Sequence, residues 1–113
     1  VAGQSENIEI TSIVDRFLQH PRVYIFGNGG KERLLIGSAD WMTRNLDHRI
    51  EVITPILDRE IHGKIRATVD LQLKDRVKAR IIDAKQQNEY VSSGGEAAQS
   101  SQHQIYAYLK DQA

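Results

Sequence analysis

A glycine-rich turn between two runs of β-branched and aromatic residues constrains the fold of this 113-residue chain more than any other feature. The first run, residues 22–26, is Arg-Val-Tyr-Ile-Phe, and the second, residues 34–36, is Leu-Leu-Ile; both are typical of strands. Between them, residues 27–30 are Gly-Asn-Gly-Gly, which supply the backbone freedom that tight turns require. The pattern predicts an antiparallel hairpin, in which the start of the first strand lies beside the end of the second.

The rest of the chain alternates between strand-like and helix-like patterns. Further strands are predicted at residues 7–10, 49–53 and 77–81. Helices are predicted at residues 12–20 and 103–113. Another is predicted after a capping Asp58, where apolar residues recur every four positions from Ile61 to Leu73.

These elements predict a single α/β domain over residues 1–113, in which helices flank a mixed sheet. Residues 1–6 are expected to be a polar lead-in, and residues 92–102 a flexible linker rich in serine, glycine and glutamine. Residues 103–113 form the predicted terminal helix.

The composition argues against several classes of protein. Lys plus Arg and Asp plus Glu each total 15, so no overall charge favours a nucleic acid, and none is expected as a partner. The absence of cysteine excludes disulfides and Cys-ligated metals, and the four histidines lack the spacing of a zinc site; His62 is expected to be solvated. No apolar run has the length of a membrane span and no signal peptide is evident, so a cytoplasmic protein is expected.

Polar residues with catalytic potential are densest between positions 20 and 49. In the predicted hairpin, residues at the start of the first strand and at the end of the second meet at one edge of the sheet. Arginine can grip phosphate oxygens with two donors, and histidine can act as a nucleophile or as a general acid and base. The group therefore suits a phosphoryl anion. Its members are His20, Arg22, Ser38 and Asp40, with Arg44 and Arg49 from the following loop and strand.

The same residues also fit a purely structural role. A histidine at the end of a helix is more often structural than catalytic, and this applies to His20. Arg44 and Arg49 are expected to form ordinary surface ion pairs with nearby carboxylates. The candidates for those pairs are Asp40, Asp47 and Glu51.

Longer segments of the chain resemble one known family. Residues 13–20 (Ile-Val-Asp-Arg-Phe-Leu-Gln-His), residues 22–30 and residues 38–47 (Ser-Ala-Asp-Trp-Met-Thr-Arg-Asn-Leu-Asp) are similar to the last domain of bacterial polyphosphate kinases. The similarity covers roughly residues 7–91. It implies a phospholipase-D-like fold, and a chain that is the C-terminal part of the catalytic half of a longer enzyme.

The resemblance also implies an activity for that longer enzyme. Members of the family reversibly transfer the terminal phosphate of ATP to polyphosphate through a phosphohistidine, which lies in a preceding domain outside this sequence. ATP, ADP and polyphosphate are the implied substrates, and Mg²⁺ is the implied cofactor, with its ligands outside this chain. The implied partners are the upstream domains and further copies of the parent protein, which is expected to be cytoplasmic or peripheral to the inner membrane. The chain alone is expected to be inactive.

Individual residues take their implied roles from the same resemblance. His20 matches the second active-site histidine of the family, which implies contact with nucleotide phosphates or proton transfer near them. Arg49 matches an arginine that is implied to face the phosphate tunnel. The remaining implied site residues are Arg22, Ser38 and Arg44 as phosphate ligands and Asp40 as an orienting group.

Two other functions stay open. Residues 20–22 (His-Pro-Arg) and residues 37–40 (Gly-Ser-Ala-Asp) are similar to the His-x-Lys and Gly-Ser-x-Asn elements of phospholipase D, so a phosphodiesterase or nuclease is one alternative. Arginine and aspartate at the altered positions count against it. The other alternative is a non-enzymatic domain whose polar corner is simply solvated.

Overall fold

The computed structural model describes residues 3–91 and 99–112. These residues form two compact units: residues 19–67 make one, and the two ends of the chain, up to residue 18 and from residue 68 onward, make the other. In order, the elements are β1 (Thr11–Ile13), β2 (Val23–Phe26), β3 (Arg33–Gly37), α1 (Thr43–Leu46), β4 (Ile53–Pro55), α2 (Arg59–Leu73), β5 (Ala79–Ile81) and α3 (Ser101–Asp111). No helix of the described residues is long and apolar enough to span a bilayer.

The α/β class is confirmed. Every strand pair within the described residues is antiparallel, and the strands form two small sheets with the orders β1-β5 and β2-β3-β4.

The predicted hairpin is confirmed. β2 and β3 pair in antiparallel register, with Val23 opposite Ile36. A single 3₁₀ turn at Asn28–Gly30 connects them, and all three of its residues have positive φ (46°, 62° and 88°). Glycine adopts that conformation without steric cost and asparagine tolerates it, which explains this turn sequence.

The third strand lies further along the chain than residues 49–53. β4 begins at Ile53 and ends at Pro55, which pairs with Leu35 of β3. β4 is an edge strand, so the missing N–H of Pro55 leaves no ladder partner unsatisfied. Arg49 therefore lies in the loop before the strand.

α2 begins where the sequence predicts. The Asp58 carboxylate accepts hydrogen bonds from the backbone N–H groups of Glu60 and Ile61, both at 2.9 Å, and so caps the helix. The prediction that His62 is simply solvated is wrong. Its Nε2 is buried and lies 3.5 Å from Glu32 Oε1, because the hairpin turn approaches this face of the helix.

The helix predicted at residues 12–20 is wrong. Thr11–Ile13 form β1, which pairs with β5, and the strand predicted at residues 7–10 lies just before it. Phe17 and Leu18, which the helix would have buried, are 62% and 94% exposed, so no packing supports a helix that is too short to be stable alone. The side chain of Gln102 holds this segment instead, donating to the Phe17 carbonyl at 2.7 Å and accepting from the Phe17 N–H at 3.0 Å.

The terminal helix α3 begins at Ser101, two residues before the predicted boundary. The predicted linker at residues 92–102 falls largely on residues 92–98, which lie outside the described residues. Asp75, only 2% exposed, joins α3 to the chain before β5. One of its oxygens accepts from the N–H groups of Val77 and Lys78 at 2.8 and 2.7 Å, and the other from the Ser101 N–H at 2.7 Å.

Candidate functional site

Arg22 and Asp40 form the centre of the predicted polar corner. The Gly37 N–H donates to the Arg22 carbonyl oxygen at 2.9 Å, which places Arg22 beside the end of β3. The Arg22 Nε donates to Asp40 Oδ1 at 2.8 Å, and the two side chains are 26% and 24% exposed. The ion pair thus joins the start of β2 to the loop that follows β3, as the hairpin predicted.

The pKa of Asp40 shows that two further predicted residues lie near this corner. The hydrogen bond from Arg22 lowers the pKa of Asp40; loss of water opposes the shift, and the charges of Arg22, His20 and Arg44 add to it. In return, the hydrogen bond to Asp40 raises the pKa of Arg22. His20 and Arg44 therefore lie close enough to act on the Asp40 carboxylate through space.

Glu51 organises the other side of the corner, and sequence reasoning did not select it as a site residue. Its Oε2 accepts from the Ser38 hydroxyl at 2.5 Å, and its Oε1 accepts from the Asn45 amide at 2.7 Å. These two hydrogen bonds lower the pKa of Glu51 against the effect of desolvation, and the charges of Arg49 and Arg22 also contribute. Glu51 is therefore a charged anchor for the loop after β3.

The backbone beside Glu51 completes this arrangement. The Val52 N–H donates to Ser38 Oγ at 3.1 Å, and the Ser38 N–H donates to the Val52 carbonyl at 3.0 Å. A Cβ on Gly37 would lie 3.1 Å from Ile53 Cγ1 and 3.3 Å from the Val52 oxygen, so glycine permits this close approach. The segment that carries Glu51 is thus held against the end of β3.

Arg44 and Arg49 are exposed, and neither makes a hydrogen bond or an ion pair within residues 3–91 and 99–112. The expected surface ion pairs with Asp40, Asp47 or Glu51 are therefore wrong. The Asp40 carboxylate is engaged by Arg22, and both oxygens of Glu51 accept from neutral donors. These two carboxylates are therefore not left to pair with Arg44 or Arg49. The two guanidinium groups remain available to an external anion.

His20 is exposed, and its ring makes no hydrogen bond to any part of the chain that the structure describes. It lies three residues before β2, in an irregular segment rather than at the end of a helix, so the basis for a structural role at a helix end disappears. Its imidazole is open to a ligand.

The arrangement has one consistent chemical consequence. Its carboxylates are already engaged, while His20, Arg44 and Arg49 are open, so the unsatisfied groups are donors and cations. Such a set has the chemistry to receive an anion. Among the described residues, no three His, Asp or Glu side chains are grouped so as to hold a metal ion, and we assign no residue of this chain to Mg²⁺.

Comparison with known proteins identifies the family. The family profile "Polyphosphate kinase C-terminal domain 2" matches residues 1–102. The chain belongs to this family.

Individual relatives agree with that assignment. The polyphosphate kinase of Vibrio cholerae is 50% identical over 111 residues, which are 98% of this chain and 16% of the relative. The polyphosphate kinase of Escherichia coli strain K12 is 49% identical over 96% of this chain and 16% of the relative. The crystal structure of polyphosphate kinase from Porphyromonas gingivalis has a TM-score of 0.91 at 44% identity and covers 96% of this chain and 17% of that one. The chain therefore spans about a sixth of the length of these proteins, and the similarities give no support to the phosphodiesterase alternative.

Asn45 provides a test of the Glu51 anchor. Asn45 is 4% exposed, so Asn45→Ala removes a buried hydrogen bond to a charged group and should lower the free energy of unfolding by about 1–2 kcal/mol. Asn45→Asp should lower it further at pH 7, because the new carboxylate faces Glu51. Urea unfolding at pH 7 and pH 4 measures both effects.

The matched control is Asn7→Asp, which makes the same change at an exposed position. The excess destabilisation by Asn45→Asp should shrink at the lower pH, where one of the two facing carboxyls can take up a proton. An Asn45→Asp variant as stable as the control at pH 7 would contradict the anchor.

Proposed function

We propose that this chain contributes one side of the active site of an ATP:polyphosphate phosphotransferase, which reversibly transfers the terminal phosphate of ATP to polyphosphate. The observation that carries the proposal is the 50% identity to a polyphosphate kinase over nearly the whole chain. The open cations of the corner support it, because ATP and polyphosphate are both polyanions.

In this proposal His20, Arg44 and Arg49 meet the phosphate oxygens directly. Arg22 donates its Nε to Asp40, which orients the guanidinium and leaves its terminal nitrogens to a phosphate. Ser38 donates its hydroxyl to Glu51, so it supports the loop unless a phosphate displaces that bond.

The chain supplies positioning and charge stabilisation, which dominate the catalysis of phosphoryl transfer. The phosphorylated histidine, the Mg²⁺ ligands and most of the nucleotide contacts belong in this proposal to the part of the enzyme outside this chain. Magnesium would neutralise charge on the transferring phosphates. A homo-oligomeric parent enzyme in the cytoplasm, with a peripheral association with the inner membrane, completes the proposal.

Arg49→Ala tests the phosphate contact in a full-length polyphosphate kinase that carries this chain. Loss of one charge-assisted contact is expected to raise KM for polyphosphate by about tenfold to hundredfold. The variant should also lose part of the salt dependence of KM, because one exposed cation is gone.

Lys85→Ala, which removes an exposed lysine from the other unit, is the matched control and should behave like the wild type. The chain alone should show no turnover with ATP, Mg²⁺ and polyphosphate. Turnover by the isolated chain, or an unchanged KM for Arg49→Ala, would count against the proposal.

A further inference from the structure

A groove of about 1210 Å³ lies at the turn end of the hairpin, so it is at the opposite end of β2 and β3 from the polar corner. Its apolar lining includes Phe26 of β2, Leu35 of β3, and Ile56 and Leu57 from the segment that leads into α2. The groove is formed entirely by the unit of residues 19–67.

Large apolar side chains in this groove are open to solvent. Leu57 is 86% exposed and Phe26 is 56% exposed. An apolar surface of this kind beside polar residues marks a place where another molecule or chain segment packs.

The rim of the groove carries unbalanced positive charge. Its acidic residue, Glu32, is already engaged by Arg66 at 2.6 Å and lies 3.5 Å from His62. The side chains of Arg33 and Arg59, which also line the groove, make no hydrogen bond or ion pair within the described residues. An occupant should therefore present apolar side chains to the floor and carboxylates to these two arginines.

We infer that this groove docks an acidic, apolar segment of the polyphosphate kinase polypeptide that lies outside these 113 residues. The relatives supply the source, because this chain accounts for only 16% of their length. A second copy of this chain docking through the same groove would bring Arg33 and Arg59 against their own counterparts, and like charges oppose such a twofold contact. The inference rests on the proposed function only for the identity of the parent enzyme.

Cysteine labelling tests the inference cleanly, because the chain contains no cysteine of its own. Leu57→Cys is introduced into the isolated chain and into a full-length polyphosphate kinase that carries this chain and has its other cysteines replaced. Leu57 is so exposed that the substitution should not disturb the fold. The labelling rate with a thiol reagent is measured for both proteins, and the urea-unfolded forms give the unprotected rate.

Docking predicts labelling that is at least about tenfold slower in the full-length protein than in the isolated chain. Adding Arg59→Glu should restore most of the rate, since it repels the acidic segment. The glutamate itself is favourable in the first turn of α2, so the fold should be retained. Lys85→Glu makes the same charge change at an exposed turn in the other unit and should leave the protection intact.

Four results would overturn the inference. Equal labelling in the two proteins would mean that the groove stays open, and concentration-dependent protection of the isolated chain would assign it to a second copy. Protection that appears only with ATP or polyphosphate would make it a ligand site. Protection that survives Arg59→Glu would refute the acidic character of the segment. A full-length enzyme that protects Cys at position 57 yet lacks kinase activity would instead refute the proposed function alone.

Discussion

His20→Ala, in a full-length polyphosphate kinase that carries this chain, is expected to lower kcat by about 10²- to 10⁴-fold if the ring transfers a proton. If the ring only contacts phosphate, the expected loss is about tenfold to hundredfold. The imidazole is open, and its charge reaches the Asp40 carboxylate beside Arg22. Because the ring makes no hydrogen bond within the described residues, its removal should leave the free energy of unfolding nearly unchanged. Polyphosphate synthesis from ATP measures the rate, and urea unfolding measures the stability.

His20→Asn separates the two roles that the resemblance leaves open. Asparagine retains a hydrogen-bond donor but cannot transfer a proton near neutral pH. If His20 only contacts phosphate, this variant should keep much of the activity and the shape of the pH–rate profile. If His20 transfers a proton, the variant should be as slow as His20→Ala, and one limb of the profile should disappear.

His103→Ala is the matched control for both variants. His103 lies on α3, in the other unit, where its ring contacts the Ser100 hydroxyl at 2.9 Å. Its removal should leave kcat unchanged. An equal loss of activity in the control and in His20→Ala would assign the effect to folding, and full activity in His20→Ala would remove His20 from the site.

The sequence predicts the hairpin and α2 correctly because both are determined locally. Four consecutive residues fix the turn at positions 27–30, and Asp58 caps a helix whose apolar residues recur at regular spacing. The corner follows from the hairpin, since antiparallel pairing requires Arg22 to lie near the residues after β3. The proximity of Arg22 and Asp40 could therefore be predicted from the sequence.

Contacts between segments distant in sequence could not be predicted from local sequence patterns. Residues 12–20 have helical spacing, but Ser12 and Ile13 belong to β1 because β5, almost seventy positions away, offers a pairing edge. Glu51 meets Ser38 and Asn45 through a loop, where no periodic rule relates the three positions. In the sequence these three positions are simply polar residues in a polar segment, and ordinary surface residues give the same pattern.

Asp75 illustrates the largest of these non-local effects. Asp75→Ala is expected to lower the free energy of unfolding by about 3–5 kcal/mol, because buried backbone donors lose their acceptor at about 1–3 kcal/mol each. The N–H groups of Ser101 and Ala79 are the most buried of these donors, since the two residues are 1% and 2% exposed. A loss of this size is a large part of the total stability of a small domain. Urea unfolding followed by circular dichroism measures it.

The pH dependence of stability identifies the carboxylate itself as the cause. Burial raises the pKa of Asp75, but the N–H groups of Lys78, Ser101 and Val77 and the Ser101 hydroxyl outweigh it and lower the pKa from 3.8 to about 2. A carboxyl group whose pKa is lower in the folded than in the unfolded protein stabilises the fold at pH values above the unfolded pKa. This stabilisation, about 2 kcal/mol for Asp75, is lost as the pH falls toward the folded pKa. The stability advantage of the wild type over Asp75→Asn should therefore be constant above about pH 5 and shrink between pH 4 and pH 2. Asp111→Asn, an exposed change at the end of α3, should show no comparable shrinkage. An advantage over Asp75→Asn that stays constant down to pH 2 would mean that packing, rather than the charged acceptor, holds α3 in place.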